Sequence, residues 1–418
     1  MALLEELQAI DEQNVMATYL RQPVAFVRGQ GARLWDSDGK EYIDFLSGIA
    51  VTSVGHCHPH VVRAIQQQAE TLLHTSNLFY TEPQFRLAQK LCAVAGMERV
   101  FFCNSGAEAN ECALKIARKW GKRKRGEKAD IVTVEGAFHG RLFGTLSVTP
   151  QKKYQEHFEP LLPNVVIVPR NDVQELEKAV NQRTCAVILE PIQGESGVHP
   201  LHMEFLRKAR ECCDLQGALL IFDEVQTGMG RTGTWFMWQQ LGIKPDLLTT
   251  AKGLGGGLPI GACMASDEAA EVFERGDHGS TFGGGPLVAS AALATLEVIE
   301  QENLLQNARV MGEYLREQVS SWRNYLPVQD VRGVGLMIGF DLKPAVARHV
   351  VRRGLEEGVV VNATSNATIR LLPPLVLTKQ EADEGLLRLQ RAIEKALYDY
   401  EIEKALAANN ESDNPDAR

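Results

Sequence analysis

Six short apolar runs set the main limit on how this chain can fold. They are RVFFCNS (99–105), DIVTVEG (130–136), VVIVP (165–169), CAVILEP (185–191), ALLIFDE (218–224) and DLLTTAK (246–252). Each is rich in Val, Ile or Leu and turns polar only at its C-terminal end, which is the pattern of a strand buried on both faces of a parallel sheet. Helical segments such as 60–74, 84–95 and 107–120 alternate with them. Strand–helix alternation predicts an α/β layered domain.

The flanks read differently. Residues 1–20 carry a helical pattern with Leu3, Leu4, Leu7 and Ile10, and 31–47 reads as a hairpin turning at Asp38-Gly39. After about 293, long amphipathic helices flank VRGVGLMIGFDL and ATIRLLPPLVL. The expected organisation is an N-terminal segment (1–49) that joins a small domain, a large domain (50–292), a C-terminal α+β small domain (293–397) and a disordered tail (398–418). With 418 residues, two or three packed subregions fit the size.

Composition excludes several classes of function. A net charge of −9 argues against nucleic acid or an anionic membrane as main partner. The basic run GKRKRGEK (121–128) reads as a solvated loop after a helix. No apolar run approaches the roughly 20 residues that span a bilayer, and MALLEELQAI places glutamates where an export signal needs basic residues. Eight cysteines without a framework suit a reducing, cytoplasmic setting.

In open parallel sheets, ligands sit at the carboxyl ends of the strands, and the polar residues of this chain gather there. Lys252 ends the last run, just before GLGGG. It is a surface charge, a phosphate clamp or a nucleophilic amine with a pKa lowered from about 10.4. Ser105, Gly106 and Ala107 end a strand and open a helix, either as an anion cradle or as a plain N-cap. Asp223 follows five apolar residues and needs a partner if buried. Phe138 and Arg141 in GAFHGR offer a flat face and a carboxylate fork, or else core packing and a surface ion pair. Glu190 and Glu195 lie at another strand end.

Taken together, these parts suit pyridoxal 5'-phosphate, whose aldehyde condenses with a lysine and whose ring accepts electrons. Alternating His56, His58 and His60 in HCHPH suggest a metal, but Pro59 interrupts the strand they would need, so no metal is expected. GVGLMIG (333–339) lacks nucleotide-loop spacing and reads as a strand with small residues.

From residue 15 to 397 the chain resembles the class III pyridoxal-phosphate aminotransferases of the acetylornithine type. The resemblance rests on seven motifs in family order: FLSGIAVTSVGHCHP, NSGAEAN, GAFHGR, EPIQGESG, FDEVQTGMGRTG, TTAKGLGGGLPIGA and HGSTFGGGP. It implies a fold-type I α/β homodimer with a mostly parallel seven-stranded sheet. It makes Lys252 the imine-forming lysine and Asp223 the partner of the ring nitrogen. Phe138 stacks on the ring, Gln226 reaches the ring hydroxyl, and Ser105, Gly106 and Ala107 hold the phosphate with Thr281 of the neighbouring subunit. His139, Glu190, Glu224 and Val225 fall in the same cofactor motifs. Arg370 takes an α-carboxylate and is covered by Glu195 when an ω-amine reacts. Arg141 and Tyr19 hold the remote carboxylate, with Ser280 near the substrate. The chain departs from the family pattern at Leu142 and Gly285.

At the position of Ile49 the ornithine aminotransferases carry a tyrosine. An aliphatic residue there suits an acylated amine better than a free ammonium. The implied substrates are therefore N-acetylornithine and 2-oxoglutarate, with glutamate as product. Succinylornithine or ornithine are alternatives. An aminomutase or decarboxylase using the same cofactor, and a cofactor-free binding protein on this scaffold, are the rival classes.

Overall fold

The computed structural model describes residues 2–125 and 129–412. The six runs form strands of one seven-stranded sheet, ordered Arg99–Cys103, Gly261–Ala265, Leu247–Thr250, Leu219–Asp223, Thr184–Leu189, Asp130–Val134 and Val165–Val168. Strands Thr184–Leu189, Leu219–Asp223 and Asp130–Val134 are buried along their whole length, as their unbroken apolar runs require. The seventh strand, Gly261–Ala265, pairs antiparallel with both its neighbours. Its sequence, GACMA, has no β-branched residue and gives no strand signal. Small residues are needed there because a Cβ at Gly261 would lie 2.3 Å from the Ser105 carbonyl.

The Asp38-Gly39 hairpin forms between Arg33–Asp36 and Glu41–Asp44, with Gly39 at φ 83°. Strand Val359–Val360 pairs parallel with it, so chain from the two ends of the sequence shares one sheet. VRGVGLMIGFDL is two strands, Val328–Val334 and Met337–Leu342, paired antiparallel. Gly335 between them lies at φ 55°, which turns the chain where a single strand was expected.

Helices differ from expectation at their ends. Gly106–Arg125 absorbs the first five residues of the basic run, while 126–128 lie outside the described residues. Lysine and arginine are good helix formers, so charge alone does not end a helix. The last helix runs Lys379–Ser412, past the expected start of a disordered tail at 398. The stretch EIEKALAA favours helix over coil, and 413–418 lie outside the described residues.

Candidate active site

The carboxyl ends of the parallel strands open on a cavity of about 510 Å³, within the size range of small-molecule sites. Lys252 stands on its wall. It follows strand Leu247–Thr250 after one residue and begins a single 3-10 turn, Lys252–Gly255. Its φ is 39°, a conformation that costs a residue with a side chain on the order of 1–3 kcal/mol. Gly253 lets the turn close, since a Cβ there would sit 2.5 Å from Ser53 Oγ. Burial lowers the Lys252 pKa, and Arg370 adds to this against the pull of Glu195, Asp223 and Glu190. A larger share of the amine is therefore uncharged near neutral pH, as a nucleophile or proton carrier requires.

Asp223 ends strand Leu219–Asp223, and its carboxylate is held on three sides. Oδ2 accepts from Asn110 Nδ2 at 2.7 Å and faces His139 Nδ1 at 2.8 Å, while Oδ1 accepts from Val225 N at 3.0 Å. Asn110 is in turn fixed by Thr249, whose hydroxyl donates to Asn110 Oδ1 at 2.7 Å. These contacts orient the carboxylate toward the cavity that it lines. Glu190 differs: burial, with Asp223 adding to it, pushes its carboxyl well above the usual range. One of its oxygens accepts from Phe138 N at 2.8 Å, which fixes the loop that carries the aromatic face.

Helix Gly106–Arg125 starts at the cavity. Its first intrahelical bond runs from Ala109 N to Ser105 O, so the N–H groups of Gly106 and Ala107 precede the ladder and are open to an anion. Ser105 Oγ accepts from Glu108 N at 3.2 Å, and Glu108 returns to Asn104 N at 2.6 Å. Ser105 is thus both N-cap and cavity wall. A Cβ at Gly106 would meet Val225 at 2.8 Å, so only glycine lets helix and strand end approach this closely.

Arg370, on strand Thr368–Leu371, is 1% exposed. It donates to Glu195 Oε1 at 2.6 Å, to Gly194 O and Gln226 Oε1 at 3.2 Å each, and to Asn362 Oδ1 at 2.8 Å. Burial alone would raise the Glu195 carboxyl, but Arg370 and Lys252 outweigh it and hold it at about 2. Gln226 closes the ring with Nε2 donating to Glu195 at 3.1 Å. The expectation for Gln226 placed it on a ring hydroxyl; its amide is engaged here with Glu195 and Arg370, and among the described residues one of its N–H groups has no partner.

Of the other expected site residues, Phe138, His139, Arg141 and Val225 also line the cavity. Glu224 does not. Its carboxylate accepts from Met237 N at 2.6 Å, Trp238 N at 2.9 Å and Thr227 Oγ1 at 2.9 Å. Adjacent residues at a strand end point to opposite faces, so Asp223 and Glu224 cannot both face the cofactor side. Ile49 packs with an apolar cluster that includes Met337 and Leu372, and Val51 is the residue of its segment on the cavity wall. Residues 47–50 all have positive φ, so the chain turns left-handed there and brings Val51 forward.

Tyr19 is 75% exposed beside Arg21 and lies off the cavity wall. Ser280 accepts from Asn104 Nδ2 at 3.3 Å, whereas Thr281 is exposed in a shallow recess with residues 74–77. Asn110, Thr249 and Tyr154 carry site geometry that the sequence reading did not assign. Asn110 closes the motif NSGAEAN, one helical turn after Gly106, and that spacing was the available signal. In HCHPH, each ring pairs with a carboxylate: His56 with Asp44, His58 with Glu302 and His60 with Glu297. Among the described residues no three such side chains form a metal site.

The cavity fits a flat, phosphorylated, basic ring. It has a helix N-terminus, a phenyl wall, an oriented carboxylate and a desolvated amine. Among the described residues, Nε2 of His139, a residue of the cavity wall, is buried without a partner, in keeping with a polar occupant. A mostly parallel sheet with a lysine and an acid at adjacent strand ends suits an enzyme that works through such a ring. Residues 15–393 match the family model of the class-III aminotransferases, and the chain belongs to that family.

Similar proteins include the acetylornithine aminotransferase of Methanocaldococcus jannaschii, 48% identical over 90% of this chain and 94% of that protein. That of Archaeoglobus fulgidus is 49% identical over 90% and 97%. Among solved structures, the ornithine aminotransferase of Toxoplasma gondii, reported with partial occupancy of PLP, is 34% identical with a TM-score of 0.91 over 95% of both chains. The N-acetylornithine aminotransferase of Stenotrophomonas maltophilia is 38% identical with a TM-score of 0.81 over 93% of this chain and 99% of that one.

Proposed function

We propose that the chain uses pyridoxal 5'-phosphate to move the δ-amino group of N2-acetyl-L-ornithine to 2-oxoglutarate. The products are N-acetyl-L-glutamate 5-semialdehyde and L-glutamate, a step of arginine biosynthesis. The observation that carries this reading is the Glu195–Arg370 pair at 2.6 Å beside the Lys252 amine. One site must take an ω-amine and, in the other half-reaction, an α-amino acid. Glu195 neutralises Arg370 while the ω-amine reacts and releases it to bind the α-carboxylate of glutamate. The names of the relatives at 48% and 49% identity point to the same substrate.

The bound cofactor would supply an electron-accepting ring that stabilises a carbanion beside the reacting nitrogen. Lys252 Nζ takes the proton from the δ-carbon as base and carries it onward as acid, a role its lowered pKa suits. Asp223, held by Asn110 and His139, would pair with the protonated ring nitrogen. The Gly106 and Ala107 amides would hold the phosphate. Arg141 takes the remote carboxylate of the substrate.

The working unit is proposed to be a cytoplasmic homodimer in which Thr281 reaches the neighbouring site. Phe282 adjoins Thr281, and Leu78, Phe79 and Tyr80 follow Asn77, which shares a recess with Thr281; all four are at least 65% exposed, an apolar group of the kind that marks an interaction surface. No helix of the described residues is long and apolar enough to cross a membrane.

Steady-state kinetics with acetyl-, succinyl- and unmodified ornithine test the reading. The highest kcat/KM is expected for N-acetylornithine, with strict need for 2-oxoglutarate. Product formed without the keto acid would instead make the enzyme an aminomutase or decarboxylase.

A further inference from the structure

Arg141 lines the cavity, yet among the described residues it makes no hydrogen bond or ion pair. Only aromatic faces orient it. Its guanidinium carbon lies 3.9 Å from the centre of the Tyr154 ring and 5.6 Å from that of Phe138. A cation held by its flat face keeps all its N–H edges free for a ligand. An ion pair would hold the same group by spending those edges.

Tyr154 is itself pinned. It sits on the short turn Lys152–Gln155, which is tied at both ends. Gln151 Nε2 donates to Ala137 O at 3.0 Å and Gly136 O at 3.3 Å, and Gln155 Nε2 donates to Leu146 O at 2.9 Å. The first tie reaches into the loop that carries Phe138 and Arg141. Tyr154 also meets the Phe138 ring edge-on, with centroids 5.8 Å apart at 78°. Lys153 Nζ lies 4.6 Å from the centre of the Tyr154 ring, but Lys153 does not line the cavity.

We propose that Tyr154 is a positioning residue for substrate specificity: its ring fixes the Arg141 guanidinium so that its free edge receives the carboxylate remote from the reacting amine. This rests on the reading of Arg141 given above. The role predicts an effect confined to substrates that bear that carboxylate. N-acetylputrescine is N-acetylornithine with the carboxylate replaced by hydrogen, so it presents the same reacting amine without the group Arg141 would hold.

The test compares kcat/KM for the two amines in the wild-type holoenzyme and in Tyr154→Phe, Tyr154→Leu, Tyr154→Met and Arg141→Leu. The wild type should prefer N-acetylornithine, and Arg141→Leu should abolish the preference. Tyr154→Leu and Tyr154→Met should each cut it by about two- to thirty-fold, the range a stacked cation is worth, mainly through KM. N-acetylputrescine should be unaffected, and Tyr154→Phe, which keeps the face, should restore the wild-type ratio. If both amines lose equally in the variants that fold, Tyr154 is only structural and the proposal fails. A ratio unchanged in Tyr154→Leu and Tyr154→Met fails it too. A wild type that does not discriminate between the two amines would sink the reading of Arg141, and the proposal with it.

Discussion

Lys252 and Asp223 were legible from sequence because each breaks a rule at its own position. A lysine and an acid directly after buried apolar strands are costly unless used, and the structure places both on one cavity. Asn110 and Tyr154 break no such rule. An amide within a helix and a tyrosine in a polar stretch acquire roles only once the fold brings Asp223 and Arg141 to them. The electrostatics of Lys252 give a pH prediction. With its pKa below the ordinary value, the rate at which pyridoxal phosphate adds to the cofactor-free protein should rise with pH and level off below about 10.4. Glu195 pulls the other way, so Glu195→Gln should move that limb further toward acid. A limb at the ordinary lysine value, or one that moves toward alkali in the variant, would contradict the assignment.

At the scale of elements, the six apolar runs predicted their strands closely because burial on both faces leaves an unbroken apolar signature. Gly261–Ala265 was missed because its constraint is steric: small residues let it pass the start of helix Gly106–Arg125. The two-strand form of VRGVGLMIGFDL was missed because the two-residue turn Gly335-Leu336 looks like strand in sequence. Glu224 shows how one element is locked. Buried, it gathers the first N–H groups of helix Met237–Leu241, and burial raises its carboxyl to about 7 despite those donors. A folded-state pKa above the unfolded one means that the folded state binds the proton more tightly. Stability from this group is therefore full below about 4.3 and lost as pH rises through about 7. Denaturant unfolding should lose on the order of 1–3 kcal/mol over that window in the wild type beyond what Glu224→Gln loses. Glu190 contributes with the same sign in both proteins, so the difference isolates Glu224. Identical slopes would show that Glu224 ionises freely.

At the scale of the molecule, one sheet edge collects the amine, the acid, the anion cradle and the aromatic wall, while strand Thr368–Leu371 brings Arg370 from a second sheet. Sequence order scatters these residues over more than two hundred positions, and the parallel topology gathers their strand ends. Placing Arg370 required the resemblance to known aminotransferases, since no local pattern links it to Glu195 or Lys252. The central claim is that the cofactor joins the chain through the ε-amine of Lys252. Borohydride reduction of protein saturated with pyridoxal phosphate, followed by peptide mapping, tests it directly. The account predicts a stable pyridoxyl label on Lys252 alone, lost in Lys252→Ala; a label on another lysine, or none on saturated protein, would contradict it.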